Sequence, residues 1–144
     1  MTSKLPLLTL TTVAVGMAAT VVLPRSQAEA QSAPSAATMP AGNPATGAKL
    51  FLQCRACHTV NAGGTQAIGP NLSGVLGAKT ASKPGYNYSP ALKKANLTWS
   101  KPTMDAWLTR PSKLVPGNKM AFAGMPNPQA RADMIAYLGT LKVK

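Results

Sequence analysis

The chain of 144 residues has two cysteines and one histidine, and all three fall between Cys54 and His58, within the stretch CRACHTV. Cys-x-x-Cys alone admits several chemistries. It could be a dithiol redox pair or a structural disulfide. It could also be half of a zinc site, although the sequence has no second Cys or His pair to complete four ligands. The histidine directly after Cys57 narrows the choice, because C-x-x-C-H is the signature of covalent haem attachment. Two thiols add across the two vinyl groups on one side of a porphyrin. Residues three apart on a helix share a face, so Cys54 and Cys57 would both reach the ring edge. His58 would then supply a nitrogen ligand from beneath the iron. A dithiol or disulfide without haem is the alternative.

With His58 on one axial site, the other decides whether the iron only exchanges electrons or also handles a small molecule. There is no second histidine. A methionine thioether is a soft ligand that favours ferrous iron, and Met39, Met104, Met120, Met125 and Met134 lie downstream of residue 30. Met39 falls in an Ala/Ser/Pro-rich stretch. Met104 and Met134 fall in helical patterns at core spacing, where packing is the ordinary role. Met120 and Met125 lie in the loop PGNKMAFAGMP.

The elements that must position these groups read as helices. Each start combines a capping side chain with a nearby proline. Asn43-Pro44 opens a segment to about Cys57, and Ser89-Pro90 opens a short one through Ala95. Ser100 precedes a helix from about Pro102 to Arg110, which Pro111 is expected to stop. Asn127-Pro128 opens the last, to about Val143, with Ala130, Met134, Tyr137, Leu138 and Leu141 forming one apolar stripe. No convincing strand is visible, so the expected class is all-α. Long glycine- and proline-bearing stretches separate the helices, over 61–87 and 111–126. Four short helices joined in this way bury too little apolar surface to hold about 100 residues together, so a large apolar group is expected at the centre.

The first thirty residues read as a targeting segment. Lys4 precedes an apolar run from Leu5 to Leu23, and Ala28-Glu29-Ala30 ends it in the small-residue pattern of a cleavage site. The expected organisation is a signal peptide over 1–30 (or an uncleaved membrane anchor), a flexible leader over 31–42 and one domain over 43–144. Haem attachment takes place outside the cytoplasm, which agrees with export to the periplasm; the membrane enters only if the segment is retained. Fifteen Lys and Arg stand against three Asp and Glu. Without Lys4, Arg25 and Glu29, thirteen cations remain against Asp105 and Asp133, so the basic character belongs to the domain. It suits acidic-faced partners. Nucleic acid is not expected, because the cations are scattered and no base-stacking motif interleaves them.

CRACHTV, then GPNLSGVLG over 69–77, YNYSPALKKANLTW over 86–99 and PGNKMAFAG over 116–124 together resemble mitochondrial cytochrome c and its bacterial periplasmic relatives. The resemblance runs in order from about Asn43 to Lys142. It implies a class I c-type cytochrome: a small fold of about four to five short helices wrapped around one covalently bound haem c. It implies Met120 as the sixth ligand, with His58 and Met120 holding the metal and Met125 packing. Pro70 matches the proline whose carbonyl orients the ligand imidazole. Tyr88 and Trp99 match residues that hydrogen-bond the haem propionates, and Phe122 the aromatic that shields the Met side. Gly47, Phe51 and Tyr137 match the crossing of the first and last helices. Trp107 stands where a tyrosine bonds the Met sulfur, Ala78 where an arginine neighbours the propionates, Leu92 where an asparagine lies in the pocket, and Asn118 where a threonine is usual.

The function implied is a soluble, monomeric carrier of single electrons rather than an enzyme, since two filled axial sites leave no place for substrate. The partners implied are a cytochrome reductase complex and a terminal oxidase or periplasmic dehydrogenase. Lys49, Arg55, Lys113 and Lys119 are expected to ring the exposed haem edge. Further charge, at Lys79, Lys83, Lys93, Lys94 and Lys101, is expected away from it.

Overall fold

A computed structural model describes residues 39–142. The expected signal segment and most of the expected leader lie outside these residues. The described residues all fall in one compact unit, Ala36–Lys144.

Among the described residues there are five α-helices: α1 (Pro44–Leu50), α2 (Pro90–Ala95), α3 (Lys101–Thr109), α4 (Pro111–Leu114) and α5 (Pro128–Thr140). Among the described residues the nearest approach to a strand is an isolated antiparallel bridge between Lys79 and Thr98. The capping logic holds at four starts. Asn43 accepts from the amides of Ala45 and Thr46, Ser89 from Leu92, Ser100 from Thr103, and Asn127 from Gln129 and Ala130.

Two helix ends differ from expectation, and one helix was not expected. α1 does not run to Cys57: it tightens into a 3-10 turn over Phe51–Gln53, and Cys54 to Cys57 continue as turns. The Cys57 and His58 amides both donate to the Cys54 carbonyl, at 3.1 and 2.9 Å, so the two cysteines keep a helix-like relation without lying on the helix. Pro111 ends α3 but also opens α4, since a proline at the first helical position lacks only an N–H that would be unbonded there. α5 stops at Thr140 because Leu141 turns extended, and the Leu141 carbonyl accepts from the Gly74 amide at 2.6 Å.

α1 crosses α5 at close range. A Cβ on Gly47 would stand 2.0 Å from the Asp133 carbonyl oxygen, so only glycine permits the approach. Phe51 and Tyr137 meet beside it, ring centroids 5.2 Å apart. Asp133 on α5 accepts from the Asn43 amide at 2.7 Å, tying the start of α1 to the same contact. Residues 39–42, placed in the leader by the sequence, also touch the domain. Met39 packs against the core, and the Ala41 carbonyl accepts from Gln129.

The buried apolar set is small: it includes Phe51, Trp99, Met104, Trp107, Leu108, Met134, Ile135 and Leu138. These side chains form one cluster, and many of them also border a cavity.

Candidate haem site

A cleft partly open to solvent is lined by α2, α3, α5, the 3-10 turn and the long loops. All nine residues singled out from sequence line it: Cys54, Cys57, His58, Pro70, Tyr88, Trp99, Trp107, Met120 and Phe122. So do Ala78, Leu92 and Asn118, the positions of departure.

The histidine is tightly placed. His58 Nδ1 lies 2.8 Å from the Pro70 carbonyl oxygen, leaving Nε2 as the ring nitrogen for another bond. Gly69 makes room for the ring: a Cβ there would stand 2.4 Å from His58 Cε1. The Gly69 amide donates to the Cys57 carbonyl at 2.7 Å, so this loop is bolted to the C-x-x-C turn. Burial lowers the His58 pKa, with the Pro70 carbonyl pulling the other way. The net result favours neutral imidazole, the form that binds a metal.

Both cysteines are free. Burial, and then the neighbouring Cys57, pushes the Cys54 thiol up. Disulfide chemistry needs a thiolate, so this environment suits a redox dithiol poorly.

The loop bearing Met120 leaves α4 through Gly117, whose φ of +80° is left-handed. Asn118 then shapes it: its side-chain amide donates to the Val115 carbonyl and its oxygen accepts from the Met120 amide, at 2.9 and 2.8 Å. Trp99 and Trp107 also line the cleft, their rings tilted against each other with 5.3 Å between centroids. Tyr88 is buried, with Tyr86 edge-on at 4.7 Å. Burial raises the Tyr88 phenol pKa; the Lys83 backbone opposes this and Tyr86 adds to it.

Sequence reasoning missed part of the lining. Met104, Met134 and Leu138, read as helix packing, form the cavity wall. The i, i+4 spacing of Met134 and Leu138 signalled one face but not what it faces. Ile68, 77% exposed, sits on the rim. Among the cations, Lys119 lines the cleft as expected for the edge. Lys79 and Lys83, expected elsewhere, line it too, and the Lys83 ammonium donates to the Ser73 carbonyl.

Two thiols beside a neutral imidazole, a thioether in the same cleft, apolar walls and phenol and indole donors form a set that fits an iron porphyrin. The comparisons with known proteins agree. A family model described as Cytochrome c matches residues 44–142. The chain belongs to the cytochrome c family. It is 46% identical to cytochrome c2 of Rhodomicrobium vannielii over 106 residues, 74% of this chain and 85% of that one. It is 46% identical to cytochrome c of Chlamydomonas reinhardtii over 103 residues, 71% of this chain and 92% of that one. Cytochrome cH from Methylobacterium extorquens matches in structure with a TM-score of 0.65 and 45% identity, covering 69% of this chain and 99% of that one. As a class I c-type cytochrome, the protein is a monohaem electron carrier with one covalently bound haem c, for which Cys54 and Cys57 are the available thiols.

Proposed function

We propose that this cytochrome exchanges single electrons between extracytoplasmic redox proteins through a haem ligated by His58 and Met120. The observation that carries this reading is the convergence of His58, held through Nδ1 on Pro70, and Met120, held through Asn118, on one cleft. When bound, the haem supplies one-electron chemistry at iron between the ferric and ferrous states.

The chain's own residues do the rest. Cys54 and Cys57 anchor the ring edge, so the group is never released between partners. Pro70 fixes the ring orientation and tautomer of His58 and raises its basicity. Met120, a soft donor, favours the ferrous state and raises the potential. Tyr88 and Trp99, whose phenol and indole groups line the cleft, would serve as donors to the propionates of the bound group. Trp107 and Phe122 keep water from the Met side, and a dry site discriminates between charge states more strongly. With His58 and Met120 both held by the protein, electron exchange would need little rearrangement of these side chains.

The reading extends to place and partners. Residues 1–30 direct export to the periplasm. Among the described residues no helix is long and apolar enough to cross a membrane. The cations around the cleft, Lys119 among them, suit acidic-faced partners such as a reductase complex and a terminal oxidase or periplasmic dehydrogenase.

The test is Met120→Ala. The ferric protein should lose the far-red band that arises from Met–iron charge transfer. Its potential should fall by on the order of 0.1 V, within the roughly 0.8 V that axial ligation spans. An unchanged spectrum and potential would remove Met120 from the iron.

A further inference from the structure

The loop that presents Met120 has two anchors. The upstream one is Asn118, within the loop itself. The downstream one is built from α3 and α5. Arg131, on the first turn of α5, is buried, and one of its terminal nitrogens donates to the carbonyls of Met125 and Pro126, at 2.9 and 3.0 Å. Its Nε donates to Asp105 on α3 at 2.7 Å, and its other terminal nitrogen faces the second Asp105 oxygen at 3.5 Å. The side chains are 11% and 26% exposed, so this is not a solvated surface pair.

The same stretch is fixed from the α3 side. The Met125 amide donates to the Leu108 carbonyl at 2.7 Å. Gly124, at φ +116°, passes so close that a Cβ would stand 2.0 Å from the Thr109 carbonyl oxygen. Four residues separate Met120 from Met125, too few to absorb much displacement of the anchored end.

We propose that Asp105 is a positioning residue for the sixth ligand: it holds Arg131 as a clamp across Met125 and Pro126, and this clamp sets how often the Met120 loop opens. The inference rests on Met120 as ligand, and its mechanism is physical. Arg131 has five N–H donors in a fixed plane. With Asp105 aligning one edge, the other edge meets two carbonyls of the loop. Without Asp105, a buried guanidinium lacks its counter-charge, and the least costly relief is local movement toward water. That movement takes the Met125–Pro126 segment with it, and opening is local because the α1–α5 crossing at Gly47, Phe51 and Tyr137 uses none of the clamp's contacts.

The test uses the haem-bearing protein. Asp105→Asn should raise the rate of cyanide binding to ferric iron about tenfold, and should speed hydrogen exchange at the Met125 amide about as much, with α1 amides unchanged. Asp105→Glu should recover most of both effects. Arg131→Lys, which keeps the charge but loses the fork, should move both readouts in the same direction as Asp105→Asn and guards against a variant that does not fold. Cyanide entry within about twofold of wild type would overturn the proposal, even if Met125 exchange quickens, because the clamp would then not govern the iron. Equal acceleration of every amide would also overturn it, by making the pair a global support. The exchange readout does not depend on which group ligates iron, so failure of the clamp and failure of the Met120 assignment are distinguishable.

Discussion

Gly69 and Pro70 together decide where the His58 ring can lie. One leaves the space a side chain would fill, and the other accepts from Nδ1. Gly69→Ala should cost about 1–3 kcal/mol, because the new methyl meets an imidazole held on the other side. Thermal unfolding of the haem-bearing variant checks this. Tyr88 supplies a pH signature. Burial raises its folded-state pKa above that of the unfolded chain, so the unfolded phenol releases its proton first. Its contribution to stability is therefore complete below about pH 10 and declines as pH rises through the folded value. Tyr88→Phe should flatten that part of the alkaline decline in a denaturant series run at stepped pH. At this scale the sequence was informative where chemistry needs a named side chain, as in C-x-x-C-H. It was silent where the requirement is an absence: Gly69 beside His58 has no signal beyond the pair Gly-Pro.

Helix starts were legible because a capping side chain next to a proline is a local arrangement, readable within four residues. Helix ends were not. α1 yields to a 3-10 turn at Phe51, and α5 to extended chain at Leu141, through contacts with distant segments such as the Gly74 amide. Pro111 illustrates the ambiguity: the same ring that ends α3 is well suited to begin α4. The elements make their own prediction at the α1–α5 crossing. Gly47→Ala would set a methyl 2.0 Å from a backbone oxygen, so the helices must part. The expected loss is about 1–3 kcal/mol, with a lower unfolding midpoint and an unchanged far-red band, because the crossing lies away from the Met120 loop. Asn127→Ala, which removes the α5 cap, should cost about 1 kcal/mol in the same measurement.

Taken as a whole, much of the molecule's apolar core borders the cleft. Trp99, Trp107, Met104, Met134 and Leu138 face it, while Val115, Met125, Ala132 and Ile135 are buried outside its lining. This is why short helices joined by long loops suggested a missing centre, while the shape of that centre needed the fold. The haem-free chain should therefore lack most of its native helicity by circular dichroism. The excess of cations acts at the same scale. On the proposed function its field steers an acidic partner toward the cleft, and screening would shorten its reach to about 10 Å at 0.1 M salt. Second-order rates of oxidation by a membrane oxidase should fall as salt rises; a flat profile would remove steering from the account.

The most direct test of the central claim, that this polypeptide is built around a covalently held haem, is the intact mass of the denatured protein purified from its host. The account predicts one chain carrying one haem, resistant to acid-acetone extraction and lost when Cys54 and Cys57 are both changed to alanine. A mass equal to that of the polypeptide alone would contradict it.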